Sequence, residues 1–113
     1  MELHRSDRDG IAVLSLEGEF DSFETDVVAD GIQACLQEGH NKIVLDCHKL
    51  LFINSTTIAF LIKAQKMTES RGGRLIFARP REFIRKTLET LGLTQLFTLL
   101  DSLDEAVEAL KAE

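Results

Sequence analysis

Asn54-Ser55-Thr56-Thr57 sets four hydrogen-bonding side chains in a row directly after the apolar run Leu50–Ile53. Two kinds of chemistry suit such a cluster. A side-chain oxygen can accept from the unpaired backbone N–H groups that open a helix, which makes Asn, Ser and Thr good N-caps. A hydroxyl exposed at that place can also carry a phosphoryl group, because a helix amino end stabilises an added anion. Capping alone accounts for the residue types, so the second reading needs support from the rest of the chain. Just upstream, Asp46-Cys47-His48 has the right atoms for a metal but lacks a spaced second pair. His4, His40 and His48 are scattered, and Ser55 is not in a G-x-S-x-G elbow. A triad built on His48 would further need an orienting carboxylate and an oxyanion hole. Gly72-Gly73 follows a helical segment rather than preceding one, so no phosphate loop is formed. The residues therefore predict no catalysis, no metal and no cofactor.

The elements that must hold these residues alternate between strand and helix. Leu3–Arg5 and Ile11–Leu16 read as strands joined by the Asp9-Gly10 turn, since both turn residues tolerate positive φ. Val28, Ile32, Cys35 and Leu36 share one helical face that Gly39 terminates. Lys42–Asp46 and Arg74–Ala78 are continuous apolar runs of the kind buried on both faces in a parallel sheet. Between them, a helix opening near Asn54–Thr56 carries Ile58, Leu61, Ile62 and Gln65 on one stripe and closes at Gly72-Gly73. Pro80 is expected to start the next helix, with Ile84, Leu88 and Leu91 inward and Gly92 at its end. A short strand near Leu96–Leu99 precedes a last helix marked by the capping box Ser102–Glu105. The order is β-β-α-β-α-β-α-β-α: an α/β chain with a mixed, mostly parallel sheet of five strands and four helices. The loops Glu17–Ser22 and Cys47–Thr56 should meet at the carboxyl edge of that sheet, where binding sites gather.

Composition bounds the function classes. The 113 residues suit one domain, residues 1–113, and 44% hydrophobic with 28% charged residues suits a globular interior with a soluble surface. A net charge of −6 argues against a nucleic-acid partner, which requires clustered positive charge in excess. No apolar stretch approaches the ~20 residues needed to span a bilayer, so no direct membrane insertion is expected. Cys35 and Cys47 form no framework, and the expected compartment is the cytoplasm.

The wider pattern supplies the support that capping lacks. Leu16-Glu-Gly-Glu-Phe-Asp21, Ile43-Val-Leu-Asp46, Phe52-Ile-Asn-Ser-Thr56, Gly72-Gly-Arg-Leu-Ile76, Leu88-Glu-Thr-Leu-Gly-Leu-Thr-Gln-Leu-Phe97 and Glu105-Ala106 follow one another in the order and spacing of a STAS domain, which the chain resembles over almost its whole length. A stand-alone domain of this kind is similar to the bacterial anti-sigma factor antagonists. The resemblance implies partner switching: an anti-sigma factor that is also a serine kinase binds the antagonist, phosphorylates it and releases it, and a phosphatase restores the binding form. Carried over, Ser55 matches the phosphoacceptor, with Thr56 in reserve. Asp21, Asp46, Asn54 and Thr57 are the positions the resemblance implies for the partner-binding edge. Asn54 stands where the family usually has aspartate, and Thr57, beside the acceptor, where it usually has glycine. The alternative implied function is a non-phosphorylated STAS adaptor or scaffold subunit of a transporter or stress-signalling complex.

Charge placement fits a docking role. Glu17, Glu19, Asp21, Glu24, Asp26 and Asp30 come without an intervening Lys or Arg, whereas Arg71, Arg74, Arg79, Arg81, Arg85 and Lys86 form a basic segment. Two solvated faces would read the same way; an acidic docking edge would steer a basic partner. Phe20, Phe23 and Phe60 are candidate apolar anchors there, with core packing the expected role of at least one.

Overall fold

In the computed structural model, which describes residues 1–113, the opening hairpin pairs β1 (Glu2–Arg8) antiparallel with β2 (Ile11–Glu19). Asp9 and Gly10 turn it with φ of 54° and 83°, as two positive-φ residues in a tight hairpin should. There follow α1 (Thr25–Gln37), β3 (Lys42–Phe52), α2 (Ser55–Ser70), β4 (Arg74–Ala78), α3 (Glu82–Thr90), a short 3-10 turn (Leu93–Gln95), β5 (Thr98–Leu100) and α4 (Leu103–Lys111). The five strands lie in the order β1-β2-β3-β4-β5, with every pair after the first parallel. The expected element order and mixed sheet are therefore present.

Several boundaries differ from the sequence reading. β1, β2 and β3 run further than expected, β3 reaching Phe52 through two irregularities in its pairing with β2, and β5 lies at Thr98–Leu100 rather than Leu96–Leu99. Pro80 lies just before α3, whose N-cap is Arg81. Leu91 is exposed rather than inward, because α3 ends at Thr90 and Gly92 then turns the chain at φ 72°.

Strand pleating divides the interior into two cores. Leu14, Leu16, Ile43, Leu45, Cys47, Leu75 and Phe77 face α1, α2 and α3 in a cluster of 21 buried residues. Ile11, Val13, Val44, Ile76 and Ala78 face the other way and are covered by Ala106, Val107 and Leu110 of α4. That second face is only half covered. Further along the same pleat the residues turn polar, with Ser15 and Glu17 on β2, Asp46 on β3, and Glu2 and His4 on β1. Exposed ion pairs tie the edge strand β1 down: Arg5 to Glu38 at the C-cap of α1 at 2.9 Å, and Arg8 to Asp104 of α4 at 2.5 Å. The Arg5 hydrogen bond holds the Glu38 carboxyl below its ordinary range.

Candidate functional site

β3 leaves the sheet at Phe52, and the next five residues build the start of α2. Asn54 is the N-cap: its Oδ1 accepts from the Thr57 N–H at 2.9 Å. The Thr57 Oγ1 in turn accepts from the Asn54 N–H at 2.9 Å and donates to the Asn54 carbonyl at 3.1 Å. Ile53 and Ile58, on either side of this reciprocal cap, both sit in the larger core at the positions of a hydrophobic staple. Of the first-turn amides, those of Asn54 and Thr57 are thus consumed, and those of Ser55 and Thr56 remain for an outside acceptor. Ser55 and Thr56 are exposed.

The loop before α1 packs beside this helix start. Phe20 N donates to Phe52 O at 3.0 Å, and Asn54 Nδ2 donates to Ser22 Oγ at 3.3 Å. The two loops expected to meet do so through these bonds. Half-buried Asp21 accepts from the Phe23 N–H at 3.0 Å, which turns the loop and pushes the Phe23 ring out to 92% exposure. Ser55 and Thr56 open onto a shallow groove with Thr25, Ala59, Phe60 and Lys63. Phe60 is half-buried in its wall and Lys63 supplies a cation, while the loop that carries Asp21 and Phe23 is tied to the helix start by the Ser22–Asn54 bond.

Three of the residues expected at the contact surface lie elsewhere. Phe20 is fully buried and meets Phe60 edge-to-face at 6.0 Å, because it is the first residue to dip under α2 after the last sheet pair. Thr57 is also fully buried, since its hydroxyl closes the cap; it points away from the acceptor rather than crowding it. Asp46 alternates with Leu45 and Cys47 and so faces the α4 side of the sheet, opposite to α2. It is 5% exposed and held by Arg79, with Nε at 3.0 Å and Nη2 at 2.6 Å. That bond raises the Arg79 pKa. Asp46 thus lies on the face of the sheet opposite α2, with its charge compensated by Arg79.

Arg79, Ser22 and Lys63 are the residues that sequence reasoning missed. Asp46 is in register with Ala78, so the next residue of the parallel neighbour was placed to reach it. The basic segment is largely neutralised within the fold: Arg74 pairs with Glu113, Arg79 with Asp46, Arg85 with Asp101 and Lys86 with Glu82. Cys47 is buried, and desolvation, helped by the Asp46 charge, pushes its thiol up to about 12, far from a reactive thiolate. No helix is long and apolar enough to cross a membrane.

Comparison with known proteins agrees with this architecture. The family model "STAS domain" matches residues 4–106. A Bordetella bronchiseptica protein, BtrV, provisionally named an anti-sigma factor antagonist, is 23% identical over 111 residues, covering 98% of this chain and 96% of its own. The crystal structure of a Thermotoga maritima protein, also provisionally named an anti-sigma factor antagonist, superposes with a TM-score of 0.88 at 21% identity, covering 96% of this chain and 94% of that one. The Bacillus cell-fate determinant SpoIIAA, solved in its phosphorylated form, superposes with a TM-score of 0.73 at 20% identity, covering 96% and 98%. With the matched segment spanning every strand but the first residues of β1, and reaching into α4, the chain belongs to the STAS domain family.

Proposed function

We propose that this chain is an anti-sigma factor antagonist that binds an anti-sigma factor with serine-kinase activity through the surface around Ser55, and that phosphorylation of Ser55 releases the partner. The observation that carries the reading is the division of labour at the start of α2: Thr57 seals the cap, while the neighbouring Ser55 hydroxyl is exposed beside two uncommitted amides. The names borne by BtrV and the Thermotoga protein, and the phosphorylated state of SpoIIAA, support it.

In the proposed step, the Ser55 oxygen attacks the γ-phosphorus of ATP, its proton passes to a base of the kinase, and ADP leaves. The product carries about −1.5 to −2 additional charge at neutral pH. The free amides of Ser55 and Thr56 and the helix dipole hold that anion, so the fold tolerates it. A docked partner does not, because the added charge stands on a surface the partner must desolvate. A phosphatase would reset the switch, with both events in the cytoplasm. Thr56, equally exposed, is the reserve acceptor.

Titration calorimetry with the cognate anti-sigma factor of serine-kinase type tests the reading. Ser55→Ala should keep the affinity, whereas Ser55→Asp should lose about tenfold or more, since like charges brought together at an interface cost several kcal/mol. Intact-mass analysis after incubation with kinase and ATP should show one added phosphate on the wild type and none on Ser55→Ala. Equal affinities for the two variants, with no mass gain, would favour the adaptor function instead.

A further inference from the structure

The half-covered face of the sheet carries a second constellation, remote from Ser55. Glu2 and Glu17 are directly opposite partners in the antiparallel β1–β2 ladder, an arrangement in which two like charges destabilise the pairing. His4, two residues along the same pleat, turns its ring toward both. Its Nε2 lies 2.7 Å from Glu17 Oε2 and 3.2 Å from Glu2 Oε2. One imidazole nitrogen and two carboxylate oxygens thus converge, all within 4.8 Å of one another. Lys49, 3.5 Å from Glu17, is the one lysine or arginine paired with either carboxylate.

We propose that Glu2, His4 and Glu17 form a binding site for a divalent transition-metal ion of the zinc class. Imidazole nitrogen with carboxylate oxygen is a donor set suited to such an ion, and three protein ligands leave a position open. Ligand atoms on a tetrahedral zinc ion stand about 3.3 Å apart, so small rotations of exposed side chains bring these three into place. The dication supplies positive charge between two carboxylates and removes the repulsion built into the ladder. His4 and Glu17 also line a cleft of about 220 Å³ whose walls include Ser15, Asp46, His48 and Arg79. Two of the three ligands thus border a polar recess. Sequence reading found no metal here because the three ligands come from two strands and acquire their spacing only through the ladder register.

Calorimetric titration of the tag-free chain with zinc chloride, in a buffer that does not coordinate zinc, tests the site. Wild type should bind a single ion. His4→Ala and Glu17→Gln should each lower the association constant by about tenfold or more, and His40→Gln should not change it. Circular dichroism should show all three variants folded, because the replaced side chains lie at the surface. No saturable binding by the wild type would overturn the proposal. So would equal binding by all four proteins, which places the ion elsewhere, or a loss confined to His4→Ala, which reduces the site to a lone imidazole.

Discussion

Two neighbouring hydroxyls at the start of α2 have opposite duties, and this is the residue-scale fact on which the proposed switch depends. The sequence shows that Asn54–Thr57 opens a helix, and Asn54 is indeed its N-cap. Which hydroxyl turns inward was not evident from residue type, since Ser55, Thr56 and Thr57 can all cap. The helical phase carried that information: Thr57 falls on the buried stripe with Leu61, Ala64, Gln65 and Thr68, whereas Ser55 and Thr56 do not. Thr57→Val keeps the side chain's shape but leaves the Asn54 amide without its partner, while the Asn54 carbonyl keeps the bond from the Ile58 N–H. It should cost about 1–2 kcal/mol, read as a lower urea midpoint at unchanged slope. Ser55→Ala should stay within about 0.5 kcal/mol of wild type, because its hydroxyl supports no contact of the fold. Equal losses for the two would contradict the assigned roles.

At the scale of elements, hydrophobic pattern located every strand and helix but misjudged how far the outer and longest ones extend. Ser6-Asp7-Arg8 has no apolar signal, yet it pairs residue by residue with Ile11–Val13, because an edge strand needs only one partner. Past Asp46, β3 loses its continuous apolar run and is held by backbone pairing to β2 instead. The junction from α2 into β4 was legible in its glycines, and the structure separates their reasons. Gly72 takes φ 76° to close the helix, while Gly73 is packed against the backbone of Asn41, whose carbonyl accepts from the Arg74 N–H at 2.9 Å. A Cβ on Gly73 would overlap that carbonyl, and neither backbone can yield without breaking the start of the β3–β4 pairing. Gly73→Ala should therefore cost on the order of 3 kcal/mol in urea unfolding. Gly31→Ala meets only the tip of the Leu3 side chain, at 2.5 Å, and gains about 1 kcal/mol of helix propensity. It should be close to neutral, and a reversed order of the two would refute this account of the junction.

The two faces of the one sheet carry unequal shares of the molecule, the larger core and the helix that bears Ser55 on one and α4 on the other. Right-handed crossovers between successive parallel strands, laid down in one direction from β2 to β5, put α1, α2 and α3 on the same side. Only α4, which follows β5 and is not a crossover between two strands of this sheet, covers the reverse face. Leu110 lies at the centre of that contact, fully buried with Val13, Val44 and Ile76. Leu110→Ala should cost about 2–5 kcal/mol, because the cavity it leaves lies between a helix and a sheet that close up only in part. Since the surface around Ser55 is on the other side, the affinity of the remaining folded molecules for the kinase should equal that of the wild type. Ser55→Asp should behave in the inverse way, losing affinity at an unchanged urea midpoint. Parallel urea and calorimetric titrations of the two variants would expose any coupling between the faces: a loss of affinity in Leu110→Ala beyond its unfolded fraction would mean that α4 helps to shape the docking surface through the sheet.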